Sequence, residues 1–228
     1  MEVRVVVFPG TNCDQDVVHL YRKLKRFSVE TVWHRDSELG GSPDLVIIPG
    51  GFSYGDYLRA GALSRVSPIM GEVKRFAEKG GRVIGICNGF QILCDCGLLP
   101  GALLQNIGMR FLSRFVSVRV ESNLSPMTEG IEVGTVIRCP IAHFEGNYFI
   151  APEDLESLEE NNQVIFRYCS PEGTVNAADL DSNPNGSINA IAGVCNKNRN
   201  IVGLMPHPER SVEKLVGAEG AESGFKLF

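Results

Sequence analysis

Four short strand-like segments, three of them apolar runs and one (residues 29–33) interrupted by Glu30 and Thr31, constrain the first hundred residues more than any other feature of the chain. They lie at residues 3–8 (broken only by Arg4), 29–33, 45–48 and 83–86. The apolar ones read as strands buried on both faces, and residues 29–33 as a further strand. Between them, residues 14–27 place Val17, Val18, Tyr21, Leu24 and Lys25 at roughly helical spacing, and residues 69–79 read as a second helix. Strands alternating with helices imply an α/β fold with a doubly wound, mostly parallel sheet of flavodoxin-like type. Right-handed crossovers then gather the strand C-termini, and the loops that follow them, along one edge.

Beyond residue 100 the pattern changes. Residues 114–120 alternate, and residues 133–139 and 164–168 also read as strands. Residues 188–194 and 201–205 are expected to form a hairpin around Asn196–Asn200, and Asn183-Pro184-Asn185-Gly186 marks a strong turn. Apart from a short acidic helix at residues 152–160, helical signal is scarce. The second half is therefore expected to add an antiparallel, β-rich part to the parallel sheet. Repeats, low-complexity linkers and a convincing domain boundary are absent from the 228 residues.

The fourth strand runs into Gly85-Ile86-Cys87-Asn88-Gly89, after which a helical pattern begins. Strand, sharp turn and helix form the context of a nucleophile elbow, with sulfur in place of the usual serine oxygen. The flanking glycines let the backbone turn where a Cβ would clash. A helix N-terminus aimed at the sulfur favours thiolate over thiol. Taken alone, a small apolar cysteine closing a core strand fits the same residues.

Two other segments bear on that choice. The last predicted strand ends in Met205-Pro206-His207-Pro208-Glu209. Prolines on both sides restrict the His207 backbone, so its imidazole is held with little freedom. Glu209 can orient that imidazole while His207 serves the nucleophile, which is the general triad arrangement. Gly50-Gly51-Phe52-Ser53 follows the third strand, so its amides belong on the same sheet edge as Cys87. The N–H groups of Gly51 and Asn88 are the candidate oxyanion hole, each such donor being worth about 2.7–4 kcal/mol. Paired glycines after a strand also make ordinary tight turns.

Bulk properties narrow the class. A net charge of −5 without a basic block argues against nucleic acid, and no apolar stretch reaches bilayer length. A cytoplasmic chain without a signal peptide is expected. Seven cysteines in such a chain argue against a disulfide framework. Cys94 and Cys96 lie near Cys87, but no Cys-x-x-Cys pair exists and no metal site is expected. Cys94, Cys96, Cys13 and His19 are read as packing residues, and His34 as structural background.

Gly85-Ile-Cys-Asn-Gly-Phe-Gln91, Pro49-Gly-Gly-Phe-Ser53 and Pro206-His-Pro-Glu209 together resemble the class I (triad-type) glutamine amidotransferases. Phe8-Pro-Gly-Thr-Asn-Cys-Asp14, Gly50-Gly-Phe-Ser-Tyr-Gly-Asp-Tyr-Leu-Arg59, Pro140-Ile-Ala-His143 and Asn183-Pro-Asn-Gly-Ser-Ile188 resemble one branch of them. That branch is the glutaminase subunits of phosphoribosylformylglycinamidine synthases, from purine biosynthesis. The pattern departs at Phe144, where the branch carries glycine.

This resemblance implies a single type 1 glutamine amidotransferase domain over residues 1–228. Cys87, His207 and Glu209 would hydrolyse glutamine, with substrate contacts from Gln91, Gly50, Phe52 and His143. It also implies a large synthetase subunit and a small accessory subunit as partners. ATP and Mg are expected on the synthetase, and no cofactor on this chain, which has no phosphate-loop motif. The loops at residues 54–57 and 143–148 are the candidate docking face. Two other readings stay open at this point: a different cysteine hydrolase or chaperone-like protein on the same fold, and a non-catalytic binding subunit.

Overall fold

The computed structural model describes residues 1–215 together with Gly224 and Leu227. Its centre is a nine-stranded sheet in the order β2-β1-β3-β4-β11-β10-β9-β6-β7. The parallel half contains β1 (Glu2–Val7), β2 (Ser28–Trp33), β3 (Leu45–Ile48), β4 (Arg82–Ile86) and β11 (Ile201–Leu204). The antiparallel half contains β6 (Leu112–Val120), β7 (Val136–His143), β9 (Val164–Cys169) and β10 (Ile191–Cys195). Every residue of β3 is buried, whereas edge strand β2 buries only Val29 and Val32. The expected two-part sheet is what forms, and β10 and β11 pair as the expected hairpin.

Arg4, the one charge inside β1, is 3% exposed. Its guanidinium donates to the carbonyls of Leu39 and Gly40, each at 3.0 Å, and pairs with Glu2 and Glu30. A buried charge is tolerable only when satisfied in this way.

Helices cover the parallel strands. α1 (Asp14–Val18) continues as a π-helical segment, His19–Leu24, so the expected helix to residue 27 ends earlier and wider. Lys25 N–H reaches back to the Leu20 carbonyl, and Arg26 then turns left-handed. α2 (Pro68–Glu78) starts with proline at its first position and buries Ile69, Met70, Val73 and Ala77. α3 (Asn88–Asp95) follows β4, and α4 (Pro152–Glu160) places Glu153 and Asp154 at its positive end.

The strands depart from the sequence reading most clearly at two boundaries and at one additional ribbon. β7 is shifted to Val136–His143 and contains Pro140, which only an edge strand tolerates, and β7 is an edge. β10 begins at Ile191 because Ile188–Ala190 forms a 3₁₀ turn with Asn189 and Ala190 left-handed. A two-stranded ribbon of β5 (Ala102–Leu104) and β8 (Asn147–Phe149) carried no periodic signal at three residues each.

Register positions the site. Ile86 lies beside Leu204 and Gly85 beside Ile48 in the parallel pairing. The loops after β3, β4 and β11 therefore emerge side by side at one sheet edge.

Candidate active site

Cys87 sits between β4 and α3 with φ 50° and ψ −105°. Strain of this kind in a non-glycine residue persists only where surrounding bonds over-determine it. Here the Cys87 N–H donates to the Leu204 carbonyl at 2.8 Å, and its carbonyl accepts from the N–H groups of Phe90 and Gln91. The two glycines of the motif have ordinary φ, and their role is close packing. A Cβ at Gly89 would lie 1.9 Å from the Ile48 carbonyl oxygen, and one at Gly85 would lie 2.7 Å from the Gly89 backbone. The strain is thus concentrated on the cysteine itself, whose thiol faces the Ala142 carbonyl of β7 at 3.8 Å.

His207 leaves β11 with its N–H tied to the Pro140 carbonyl at 2.8 Å. Its Nδ1 meets Glu209 Oε1 at 2.7 Å, and both side chains are buried. Burial alone would keep the imidazole neutral. The Glu209 carboxylate overrides it, with Cys87 and Cys13 adding to the effect, so the His207 pKa lies well above its ordinary value. Among the described residues His207 Nε2 is buried with no nitrogen or oxygen partner, and the thiols of Cys13 and Cys87 are the groups that interact with the ring. Cys87 and His207 both line a cavity of about 420 Å³. Cys87, His207 and Glu209 are therefore brought together from two strand ends.

The Gly50–Ser53 loop reaches the same place. Asn88 Oδ1 accepts from the Ser53 N–H at 3.1 Å, and Asn88 Nδ2 donates to Gln91 Oε1 at 2.9 Å. Gln91 Nε2 donates in turn to the Glu145 carbonyl at 2.6 Å. This relay fixes three loops to one another. It also gives Gln91, expected as a substrate contact, a structural task. Gly51 and Phe52 line the cavity. Gly50 lies behind the imidazole instead, where a Cβ would come 2.6 Å from His207 Cε1 and 2.9 Å from Cys13 Sγ. Phe144 lines the cavity without positive φ, so nothing in its backbone calls for glycine.

His143 is buried, lines the cavity and bonds Asn106 through Nδ1. Burial, with a smaller contribution from His207, lowers its pKa to about 3. Unfolding exposes the ring and restores its ordinary value near 6.5. As pH falls below 6.5, the unfolded chain gains a proton that the folded one refuses, so stability is lost. His207 does not offset this loss, because its raised pKa already makes its contribution complete below 6.5. Wild type should therefore lose about 2 kcal/mol more than His143→Leu between pH 6.5 and pH 5, as measured by chemical denaturation. An identical pH dependence in the two proteins would refute the neutral, buried assignment.

Sequence reasoning passed over two participants. Cys13 is buried as expected of a packing residue, but it interacts with His207 and lines the cavity. Arg210 donates to Cys13 Sγ at 3.1 Å and to Asp16 at 2.9 Å. Cys13, His207 and Glu209 offer ligand atoms within 4.8 Å of one another. A cation there would compete with the histidine for the Glu209 carboxylate. His19, read as a packing residue, is exposed and pairs with Glu213 at 2.8 Å.

The chain matches the CobB/CobQ-like glutamine amidotransferase domain family over residues 1–223. It belongs to that family. It is 52% identical to the phosphoribosylformylglycinamidine synthase subunit PurQ of Chlorobaculum tepidum, over 99% of this chain and 94% of that protein. The subunit of the same name from Gloeobacter violaceus is 50% identical over 100% and 95%. Among solved structures, a chain of PurLQS from Thermotoga maritima superposes with a TM-score of 0.83 at 42% identity, covering 99% of this chain and 95% of that one. The cavity around Cys87 thus sits on an amidotransferase scaffold with full-length relatives.

Proposed function

We propose that this chain is the glutaminase subunit of a phosphoribosylformylglycinamidine synthase, with Cys87, His207 and Glu209 as its triad. The observation that carries the reading is near-half identity to PurQ subunits along the whole chain. The buried His207–Glu209 pair beside a strained Cys87 supports the residue roles.

In this reading Cys87 Sγ attacks the side-chain carboxamide carbon of glutamine. The developing oxyanion is met by the N–H groups of Gly51 and Asn88. His207 delivers the proton that lets ammonia leave, and Glu209 stabilises the imidazolium. Water, activated by His207, then opens the thioester. The sum is glutamine plus water giving glutamate plus ammonia. A synthetase partner consumes the ammonia, and ATP and Mg act on that partner, not on this chain. A small accessory subunit completes the assembly. Among the described residues no helix is long and apolar enough to cross a membrane, in keeping with a cytoplasmic enzyme.

Phe52, Tyr57, Leu58 and Phe111 are large and exposed near the cavity mouth, which suits a protein partner. Two aromatics expected there face inward instead. Tyr54 OH bonds His34 and Ser67, and Tyr148 stacks on Phe90 with its OH donating to the Pro100 carbonyl.

The test measures glutamate release by the chain alone and with the synthetase, the accessory subunit and their nucleotide ligands. Release should be slow alone and rise on assembly as the partner completes the oxyanion hole. Equal rates would overturn that coupling, and no release in any combination would overturn the reading.

A further inference from the structure

Two carboxylates in the cavity have no part in the triad. Asp56 and Glu145 line it together with Cys87 and Gln91. Asp56 is delivered to the mouth by a segment in which Tyr54, Gly55 and Asp56 all have positive φ, at 54°, 70° and 54°. Non-glycine residues rarely adopt this backbone, and two here do so. Tyr54 N–H to the Pro9 carbonyl and Gly55 N–H to the Phe52 carbonyl hold it. Glu145 comes from the turn after β7. Its Oε2 accepts from the Ala60 N–H at 3.1 Å, and its carbonyl is held by Gln91.

Among the described residues, neither carboxylate belongs to an ion pair. Partial burial raises the Asp56 pKa to about 6, and the charge of Glu145 adds to the rise. Two carboxylates thus line one cavity, close enough for the charge of Glu145 to be felt at Asp56, while Arg210, the cation that also lines it, is engaged by Asp16 and Cys13.

An independent feature says what kind of ligand the cavity takes. Asn106 Nδ2 donates to the carbonyls of Arg110 and His143, each at 2.9 Å. Its Oδ1 must therefore be the acceptor for the Gly146 N–H and for His143 Nδ1, each at 3.1 Å. His143 Nδ1 then carries the ring proton, which leaves Nε2 as a lone-pair acceptor. Among the described residues that buried atom has no hydrogen-bond partner, and it belongs to a residue that is 4% exposed and lines the cavity. The ring is held on its other face by Gly146, where a Cβ would lie 2.2 Å from His143 Cε1. A buried acceptor and two carboxylates outside any ion pair call for a ligand rich in N–H donors and positively charged at one end.

We propose that Asp56 and Glu145 form the subsite for the α-ammonium group of glutamine. The subsite rests on the glutaminase reading and specifies how that site recognises an amino acid instead of a simple amide. A primary ammonium brings one positive charge and three donors to the two carboxylates, with the carboxamide toward Cys87. Asp56 and Glu145 are binding residues here and take no proton in the reaction.

The test uses the assembled complex with Asp56→Asn and Glu145→Gln, assayed with glutamine and with glutaramate, which is glutamine without its α-ammonium. KM for glutamine should rise roughly ten- to hundredfold in each variant, with kcat little changed. Wild type should use glutaramate poorly, and the variants should narrow the gap between the two substrates. Ammonia-dependent synthesis and iodoacetamide alkylation of Cys87 should match wild type, as neither involves an α-ammonium. An unchanged KM in both variants, or equal use of the two substrates by wild type, would overturn the subsite alone. Variants that only weaken assembly, with a normal KM once assembled, would overturn it as well. A wild-type complex that hydrolyses no glutamine would overturn the function reading and the subsite together.

Discussion

Replacing Cys87 with alanine should lower glutamine-dependent synthesis by the assembled complex by about 10⁴-fold or more, with ammonia-dependent synthesis preserved. The loss is that of a covalent nucleophile, and groups that act as a unit fail together when one is removed. The preserved branch follows because ammonia supplied from solution needs only the partner's chemistry. Alanine should also leave the elbow standing. The bonds that hold residue 87 run through its N–H and carbonyl, to Leu204, Phe90 and Gln91, and alanine keeps all of them. A second thiol, Cys13, lies close to His207. It belongs to the loop after β1, however, and does not stand at the start of α3, where the Asn88 N–H can meet an oxyanion. The comparison is therefore Cys87→Ala with and without Cys13→Ser, followed as glutamate release and as synthesis from ammonia. Persistent glutamine turnover in Cys87→Ala would show that sulfur at position 87 is not the nucleophile. If the added Cys13→Ser then removed it, the nucleophile would be Cys13.

How much of this was legible in the sequence depended on how local the signal was. The parallel half could be read because all its strands but edge strand β2 are largely buried on both faces and appear as apolar runs, as in β1 and β3. Cys87 and the His207–Glu209 pair could be read because each lies just past a strand in a short, unusual motif. Their meeting is a matter of register, Ile86 beside Leu204, and no local pattern encodes it. Cys13 looked like packing because burial and approach to a site have the same local signature. Asp56 and Glu145 were not singled out, as a carboxylate in a loop reads as solvated until the fold brings another to face it. The two glycines flanking Cys87 were assigned to the right place for a partly different reason. They were expected to ease a turn, and they remove side chains where α3 crosses the end of β3. Tyr54 and Tyr148 show the converse limit: an aromatic beside a glycine looks available for docking until its hydroxyl finds an internal partner.

Glu209→Gln separates orientation from charge in the triad. The substitution nearly preserves volume, so the buried site can keep its packing. In wild type, Oε1 accepts from His207 Nδ1 at 2.7 Å, and Oε2 is buried without a partner. Among the described residues no hydrogen-bond partner of Oε2 selects which way a carboxamide would turn. If its oxygen faces Nδ1, the hydrogen bond survives but the imidazolium loses its counter-charge in a buried site, and taking a proton becomes harder. If its NH₂ faces Nδ1, the ring must carry its proton on Nε2 and can no longer accept one from Cys87. The first orientation weakens general-base function and the second removes it, and both leave the cavity lining untouched. The corresponding change in a serine-protease triad costs about 10⁴-fold, and about 10³- to 10⁴-fold in kcat is expected here, with little change in KM for glutamine. The raised His207 pKa depends on the Glu209 charge overcoming burial, so the variant imidazole should titrate well below the wild-type one. Histidine ring NMR on the intact chain would follow that shift beside the kinetics. A variant with wild-type kcat would reduce Glu209 to a packing residue. A large kcat loss without a change in the His207 titration would instead mean that Glu209 acts by orientation alone.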